Sequence, residues 1–203
     1  LRASEREPSW TIRRGLLTRD RLAAMCFEID DLELLVGRLS QADEPIGDIE
    51  AAHAYLAGYE LDFPGQTGHC ELDLDPLMRE GLDGLAQQIR ERRNACLGDA
   101  SDADPAVYES FMAAVEGLSL MIERAAAMVA SAVPEASPGR QKELQLLANA
   151  CRTIAHRPPT SFIEAIQLVW FVLIGVMNAD RAWLVVPGHL DRTLWPFYEA
   201  DLA

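Results

Sequence analysis

The chain has 203 residues, 49% apolar and 25% charged, with 18 Lys+Arg against 32 Asp+Glu for a formal net charge of −14. That composition supports a sizeable core and excludes a disordered chain, while the excess negative charge disfavours nucleic acid and anionic membrane surfaces as partners. The unbroken apolar run Leu168 to Met177 falls short of the roughly 20 residues that cross a bilayer, so no membrane span is expected. The first residues, LRASEREPSW, show no apolar h-region, and Cys26, Cys70, Cys96 and Cys151 form no C-x-x-C pair, so a cytoplasmic protein with reduced thiols is expected.

Apolar residues recur at three- and four-residue intervals and period-two alternation is scarce, so the class is mainly α. Residues 19–28 predict a short helix, and Ile29 to Leu39 a turn followed by a short strand. From Ile46 to Cys70, glycines, prolines and scattered aromatics predict an ordered loop with one short helix around Ile49 to Ala57.

Four later helices are announced by their caps. Asp75-Pro76 opens one to about Cys96, with Leu77, Gly81, Leu82, Leu85 and Ile89 on one face. Asp104-Pro105 opens a long one to about Val133, and Ser137-Pro138 a third to about Ala155. Ser161, with Glu164 three residues on, predicts a capping box at the start of the fourth. From Phe162 to Met177 only Glu164, Gln167 and Gly175 interrupt the apolar residues. That predicts an enclosed helix with Ile166, Val169, Trp170, Leu173 and Val176 nearly fully buried. Arg181 to Val186 predicts a short buried strand ended by Pro187-Gly188, and Asp191 to Leu202 a last helix. An apolar helix feeding an apolar strand belongs to an α/β layer whose sheet lies mostly elsewhere.

Phosphate-cradling, dinucleotide, zincin and nucleophile-elbow motifs are absent. The densest polar cluster is Gly68-His69-Cys70-Glu71-Leu72-Asp73-Leu74-Asp75. Its spacing fits no metal-ligand frame, and acidic residues just before a helix are stabilised by the helix dipole without a ligand. His53, His69, His156 and His189 are scattered. Cys26 and Cys151 read as inert core thiols in helical, apolar surroundings, and Cys70 as a structural residue in a loop before a helix.

The run PPTSFIEAIQLVWFV, Pro158 to Val172, followed by PGHLDRTLWPFYEADL, Pro187 to Leu202, resembles the amino-terminal half of the pyruvate formate-lyase domain of glycyl radical enzymes. Weaker pieces follow the same order: Ile29-Asp30-Asp31-Leu32-Glu33-Leu34-Leu35-Val36-Gly37, Gly68-His69 ahead of Asp75, Gly81-Leu82, and Arg140 with Glu143-Leu144 before Cys151. The resemblance spans nearly the whole chain. It implies that residues 1–203 are the amino-terminal, incomplete part of such a domain: outer helices and first strand of a ten-stranded α/β barrel. Neither the family's cysteine loop nor its glycyl radical loop has a counterpart here, so no catalytic residue is expected in this chain.

For the full-length protein the resemblance implies a radical on a downstream glycine, installed by a radical-SAM activase. It also implies a small-molecule substrate, a homodimer, and a lyase, dehydratase, decarboxylase or formate-acetyltransferase activity. His69 matches a histidine that lines the substrate cavity in dehydratase-like members, with Cys70 where they carry threonine. Before and within the Gly-Arg-x-Asp-Gln block, the family's serine, arginine and glutamine are replaced in the stretch Leu184 to Arg192. The alternative is a non-catalytic helical scaffold or interaction domain derived from that family.

Overall fold

The computed structural model describes residues 4–40, 49–58, 68–98, 104–179 and 182–203. In chain order they form α1 (Trp10–Ala24), β1 (Phe27–Glu28), β2 (Arg38–Leu39), α2 (Ile49–Ala57), β3 (Gly68–Glu71) and α3 (Asp75–Gly98). Then come α4 (Pro105–Ala132), α5 (Pro138–Ile154), α6 (Phe162–Ala179), β4 (Trp183–Val186) and α7 (Leu190–Leu202). The described chain is mainly helical. β1 pairs antiparallel with β2, and β3 pairs parallel with β4.

Several helices start where their caps predict. The Asp104 carboxylate accepts a hydrogen bond from the Ala106 N–H at 2.9 Å, opening α4 at Pro105. α1 begins well before the helix predicted over 19–28, because the Ser9 hydroxyl caps the Ile12 N–H at 3.4 Å. It ends at Ala24, and Phe27 and Glu28 leave the helix to pair with Leu39 and Arg38. Ser137 occupies the N-cap of α5 but its hydroxyl makes no capping bond. At α6 the Ser161 hydroxyl accepts from the Glu164 N–H at 3.4 Å, while the Glu164 carboxylate accepts from the Thr160 N–H at 2.7 Å instead of from Ser161.

α3 is not the continuous helix predicted. Gly81, at φ 68° and ψ −177°, breaks it in a backbone region open essentially to glycine alone. A Cβ at Gly81 would lie 2.5 Å from backbone atoms of Arg157 and Pro158. The Asp83 N–H that the break exposes donates to the His156 carbonyl at 2.9 Å. The helix therefore resumes against the turn that joins α5 to α6.

The core lies between α1, α3, α4, α5 and α6, where Leu82, Met121, Ile122, Val129, Leu147, Ile154, Leu168 and Phe171 are fully buried. Each such side chain contributes about 1.5–3 kcal/mol by leaving water. α6 departs from its prediction. Trp170 is 44% exposed and Met177 53%, Ile166, Leu173 and Val176 are only partly buried, and Val169 alone of the five is buried. The helical period explains this: Ala165, Leu168, Phe171, Ile174 and Gly175 face the other helices, while Trp170 and Met177, two turns apart, lie on the outward side, where the Trp170 indole is covered in part by packing against Gly37. By length and composition α6 could cross a membrane, but half of it is buried inside the fold, as in the core helix of a globular domain.

The strand predicted over Arg181 to Val186 is shorter, and Leu184 and Val186 are exposed on it instead of buried. Arg181, like residues 46–48 and 59–67 of the predicted loop, lies outside the described residues. The segment between β1 and β2 is held down by Arg140, whose buried guanidinium donates to the carbonyls of Asp30 at 2.6 Å and Glu33 at 2.7 Å and to Glu143 at 2.9 Å.

Candidate functional site

The parallel pair β3–β4 organises the site. Gly68 is matched with Trp183, Cys70 with Val185 and Glu71 with Val186, and the Leu72 N–H continues the ladder to the Val186 carbonyl at 2.9 Å. The chain then leaves both strands in the same direction, through Leu72–Leu74 into α3 and through Pro187–His189 into α7. Parallel strands present ligands at such carboxyl ends. A cavity of about 450 Å³ opens there, between these two links.

It is lined by Glu71, Asp73 and Asp75 from the segment after β3 and by His189, Arg192 and Thr193 from the segment after β4. Asp73 also accepts the Asp75 N–H at 3.3 Å, which fixes the turn into α3. Gly188, at φ +76°, sits where a Cβ would approach Glu71 Oε1 and the Leu72 carbonyl to 3.2 Å each. Only glycine brings the second link this close to the first. On β4, Leu184 has φ 53°, in the left-handed region that disfavours a branched side chain.

The backbone of His69, the one site residue carried by the resemblance, is second in β3, two residues before Glu71; its side chain lies outside the described part. Cys70 lies in β3 and not in a loop, half-buried. The carboxylates of residues 71–75, read from the sequence as a helix-start cluster, prove to be one wall of a cavity. Arg192, Thr193 and His189 form the other wall. The signal for them was the Pro187-Gly188 turn followed by a helix, which says nothing of what it faces.

The remaining titratable groups lie elsewhere. A larger cavity of about 790 Å³, between α1, α3, α4 and α6, is walled mainly by side chains such as Leu22, Leu77, Leu82, Leu118, Val172 and Val176, with Arg14, Ser110 and Asp73 also on its lining, Asp73 being shared with the smaller cavity. In a third, of about 590 Å³, His156 bridges Asp83 at 3.1 Å and Glu123 at 2.8 Å. Cys151 is fully buried, and burial pushes its thiol up to about 12. Cys26, expected in the core, is instead exposed beyond the end of α1, with Arg124 Nη2 3.2 Å from its sulfur. It left the core because α1 stops two residues before it.

Residues 45–203 match the family described as Pyruvate formate lyase-like. A probable dehydratase of Escherichia coli (strain K12) is 30% identical over 200 residues, covering 96% of this chain and 22% of that protein. The 4-hydroxyphenylacetate decarboxylase glycyl radical subunit of Clostridioides difficile (strain 630) is 30% identical over 131 residues, 60% of this chain and 14% of the subunit. Among solved structures, one concerned with 1,2-propanediol dehydration in Roseburia inulinivorans has a TM-score of 0.82 at 20% identity, over 99% of this chain and 31% of that one. At that identity the likeness is one of fold. The chain thus spans 22% of the length of the first of these relatives.

Proposed function

Because this chain belongs to the Pyruvate formate lyase-like family of glycyl radical enzymes, we propose that it is the amino-terminal portion of a glycyl radical lyase of the dehydratase type. The observation that carries this reading is the 30% identity to a probable dehydratase along 96% of the chain. In the full-length protein α1 and α3–α6 are outer helices, and β3 with β4 belongs to a ten-stranded α/β barrel. His69 contacts a small polar substrate near the carboxyl end of β3. A glycyl radical on a glycine beyond these residues, installed by a radical-SAM activase, would supply the hydrogen-atom abstraction that begins elimination by way of a cysteine that also lies beyond them. The residues of this chain bind and orient; they do not store the radical. The full-length protein is a cytoplasmic homodimer.

The test is anaerobic incubation of the full-length gene product with its activase, S-adenosylmethionine and reductant. An organic-radical EPR doublet and loss of water from a small hydroxylated substrate are expected. His69→Ala should leave the radical yield unchanged and lower turnover, since a substrate contact takes no part in radical storage. Absence of a radical in the wild-type protein would support the scaffold alternative, and acyl transfer without dehydration would overturn the dehydratase assignment.

A further inference from the structure

We infer that His156 is a proton-operated clasp: its imidazolium ties the break in α3 and the turn after α5 to α4, and loss of the proton frees that unit from Glu123. Nδ1 lies 3.1 Å from the Asp83 carboxylate and Nε2 lies 2.8 Å from that of Glu123, so both ring nitrogens face groups that, when ionised, only accept. Only the imidazolium, with two N–H groups, donates to both at once. A neutral ring has one N–H, and its other nitrogen turns a lone pair towards a carboxylate.

The backbone decides which contact goes. The Asp83 N–H donates to the His156 carbonyl at 2.9 Å, a bond indifferent to the charge on the ring. Gly81 lets α3 close on the backbone of Arg157 and Pro158, which a Cβ would meet at 2.5 Å. Asp83 and His156 therefore move as one unit, and the single N–H of the neutral ring stays on Asp83 through Nδ1. Glu123 has no second bond to His156. One tie between α4 and this turn is independent of pH, the Ser119 hydroxyl donating to the Ala155 carbonyl at 2.7 Å, and it limits release to a local opening.

The charges around the ring give no substitute. Asp83, Arg90, Glu109, Glu116, Glu123 and Arg19 line the cavity that His156 faces. Glu116 and Glu109 have arginine partners in Arg19 and Arg93, and Arg90 donates to Gln87. Among the described residues, Asp83 and Glu123 form ion pairs with His156 alone. The Asp83 hydrogen bond, opposed by partial burial and helped by Glu123, raises the histidine pKa above 6.5, so the clasp lets go as pH rises beyond that value. The unit it frees joins two segments of the candidate site, since α3 follows β3 and α6, which begins after this turn, leads to β4.

The clasp is independent of the proposed reaction, so hydrogen exchange of the full-length protein tests it without turnover. Labelling times are scaled for the intrinsic chemical rate, and peptides are read by mass spectrometry. From about pH 6 to about pH 9, exchange over residues 153–160 should rise about 5-fold relative to α7. His156→Gln should abolish that rise. Glu123→Gln should abolish it too, because an amide can donate to a ring lone pair or accept from a ring N–H, so Nε2 keeps a partner in either state. Ser119→Ala, which removes the tie that does not titrate, should enlarge it. His156 and Glu123 are 43% and 47% exposed, and circular dichroism confirms that the variants fold. Flat exchange over residues 153–160 in the wild-type protein, or a rise that persists undiminished in His156→Gln or Glu123→Gln, overturns the clasp.

Discussion

Gln167 and Val36 exchange two hydrogen bonds. The Val36 N–H donates to Oε1 at 2.8 Å and Nε2 donates to the Val36 carbonyl at 2.7 Å, across 131 residues of sequence. Both residues are fully buried, so the Gln167 amide completes backbone that a loop would otherwise leave unpaired. With Arg140 on the Asp30 and Glu33 carbonyls, two side chains fasten the β1–β2 connection to α5 and α6. Leu32 on that connection is 91% exposed while Val36 is in the core, so these hydrogen bonds act together with the burial of one apolar side chain in fixing the segment.

Replacing Gln167 with Leu keeps the volume and orphans both Val36 groups. Each buried unpaired group costs about 1–3 kcal/mol. Gln167→Leu should therefore lower the midpoint of urea unfolding and strip the Val36 amide of its protection from hydrogen exchange. Unchanged protection at Val36 would show that the loop is held by something else.

Gly81 and Gly139 make a matched pair. A Cβ at Gly81 meets the Arg157–Pro158 backbone and demands a conformation at φ +68°, whereas a Cβ at Gly139 in the first turn of α5 meets nothing within 4 Å. Gly81→Ala should destabilise by more than the roughly 1–3 kcal/mol of the backbone strain alone. Gly139→Ala should be neutral or stabilise by up to about 1 kcal/mol, as alanine does in a helix. Chemical denaturation of both variants gives the comparison.

What the sequence disclosed follows the range of the interaction. Asp104 and Pro105 fix the start of α4 within a few residues, and the bounds of α2 were readable from local pattern. Gly81 looked like one more small residue on an apolar face, because its reason for being glycine is the turn at Arg157. β3 read as loop since four residues without alternation reveal a strand only through a partner, and that partner, β4, comes after α6. Gln167 read as a lapse in an apolar run, yet it is the residue that satisfies Val36. Trp170 read as core because composition does not say which side of a helix a fold leaves open. The cavity walls, residues 71–75 and 187–193, meet only once β3 and β4 have paired, so no local pattern joins Glu71 to Arg192.

Thiol reactivity should sort the cysteines by position. Cys151, fully buried and with its thiol pushed up to about 12, presents almost no thiolate near neutral pH. Cys26 is exposed, with a guanidinium at hydrogen-bond distance. Ellman's reagent applied to the folded protein should modify Cys26, a reaction lost in Cys26→Ala, while Cys151 reacts only after denaturation. Rapid labelling of Cys151 in the native protein, read by mass spectrometry of its peptide, would contradict the packing of α5 described above.

His156 joins three parts of the fold, since its own turn follows α5 while Asp83 lies on α3 and Glu123 on α4. Its pKa is raised above the usual 6.5, chiefly by the hydrogen bond to Asp83 and further by Glu123, with partial burial opposing them. Arg19, Arg90, Glu109 and Glu116 line the same cavity. A raised folded-state value means that the protonated imidazole stabilises the native state. That contribution is fully present below about pH 6.5, where the unfolded histidine is also protonated, and is lost as pH rises through the folded value. His156→Gln removes the titration. The difference in urea midpoint between wild type and His156→Gln should therefore be largest in mildly acidic buffer and shrink steadily towards alkaline pH. Because the imidazole is half-exposed, 0.5 M salt, with a Debye length of roughly 4 Å, should also narrow it. A difference that widens with rising pH would mean that the neutral ring, donating to only one of the two carboxylates, is the form the fold selects.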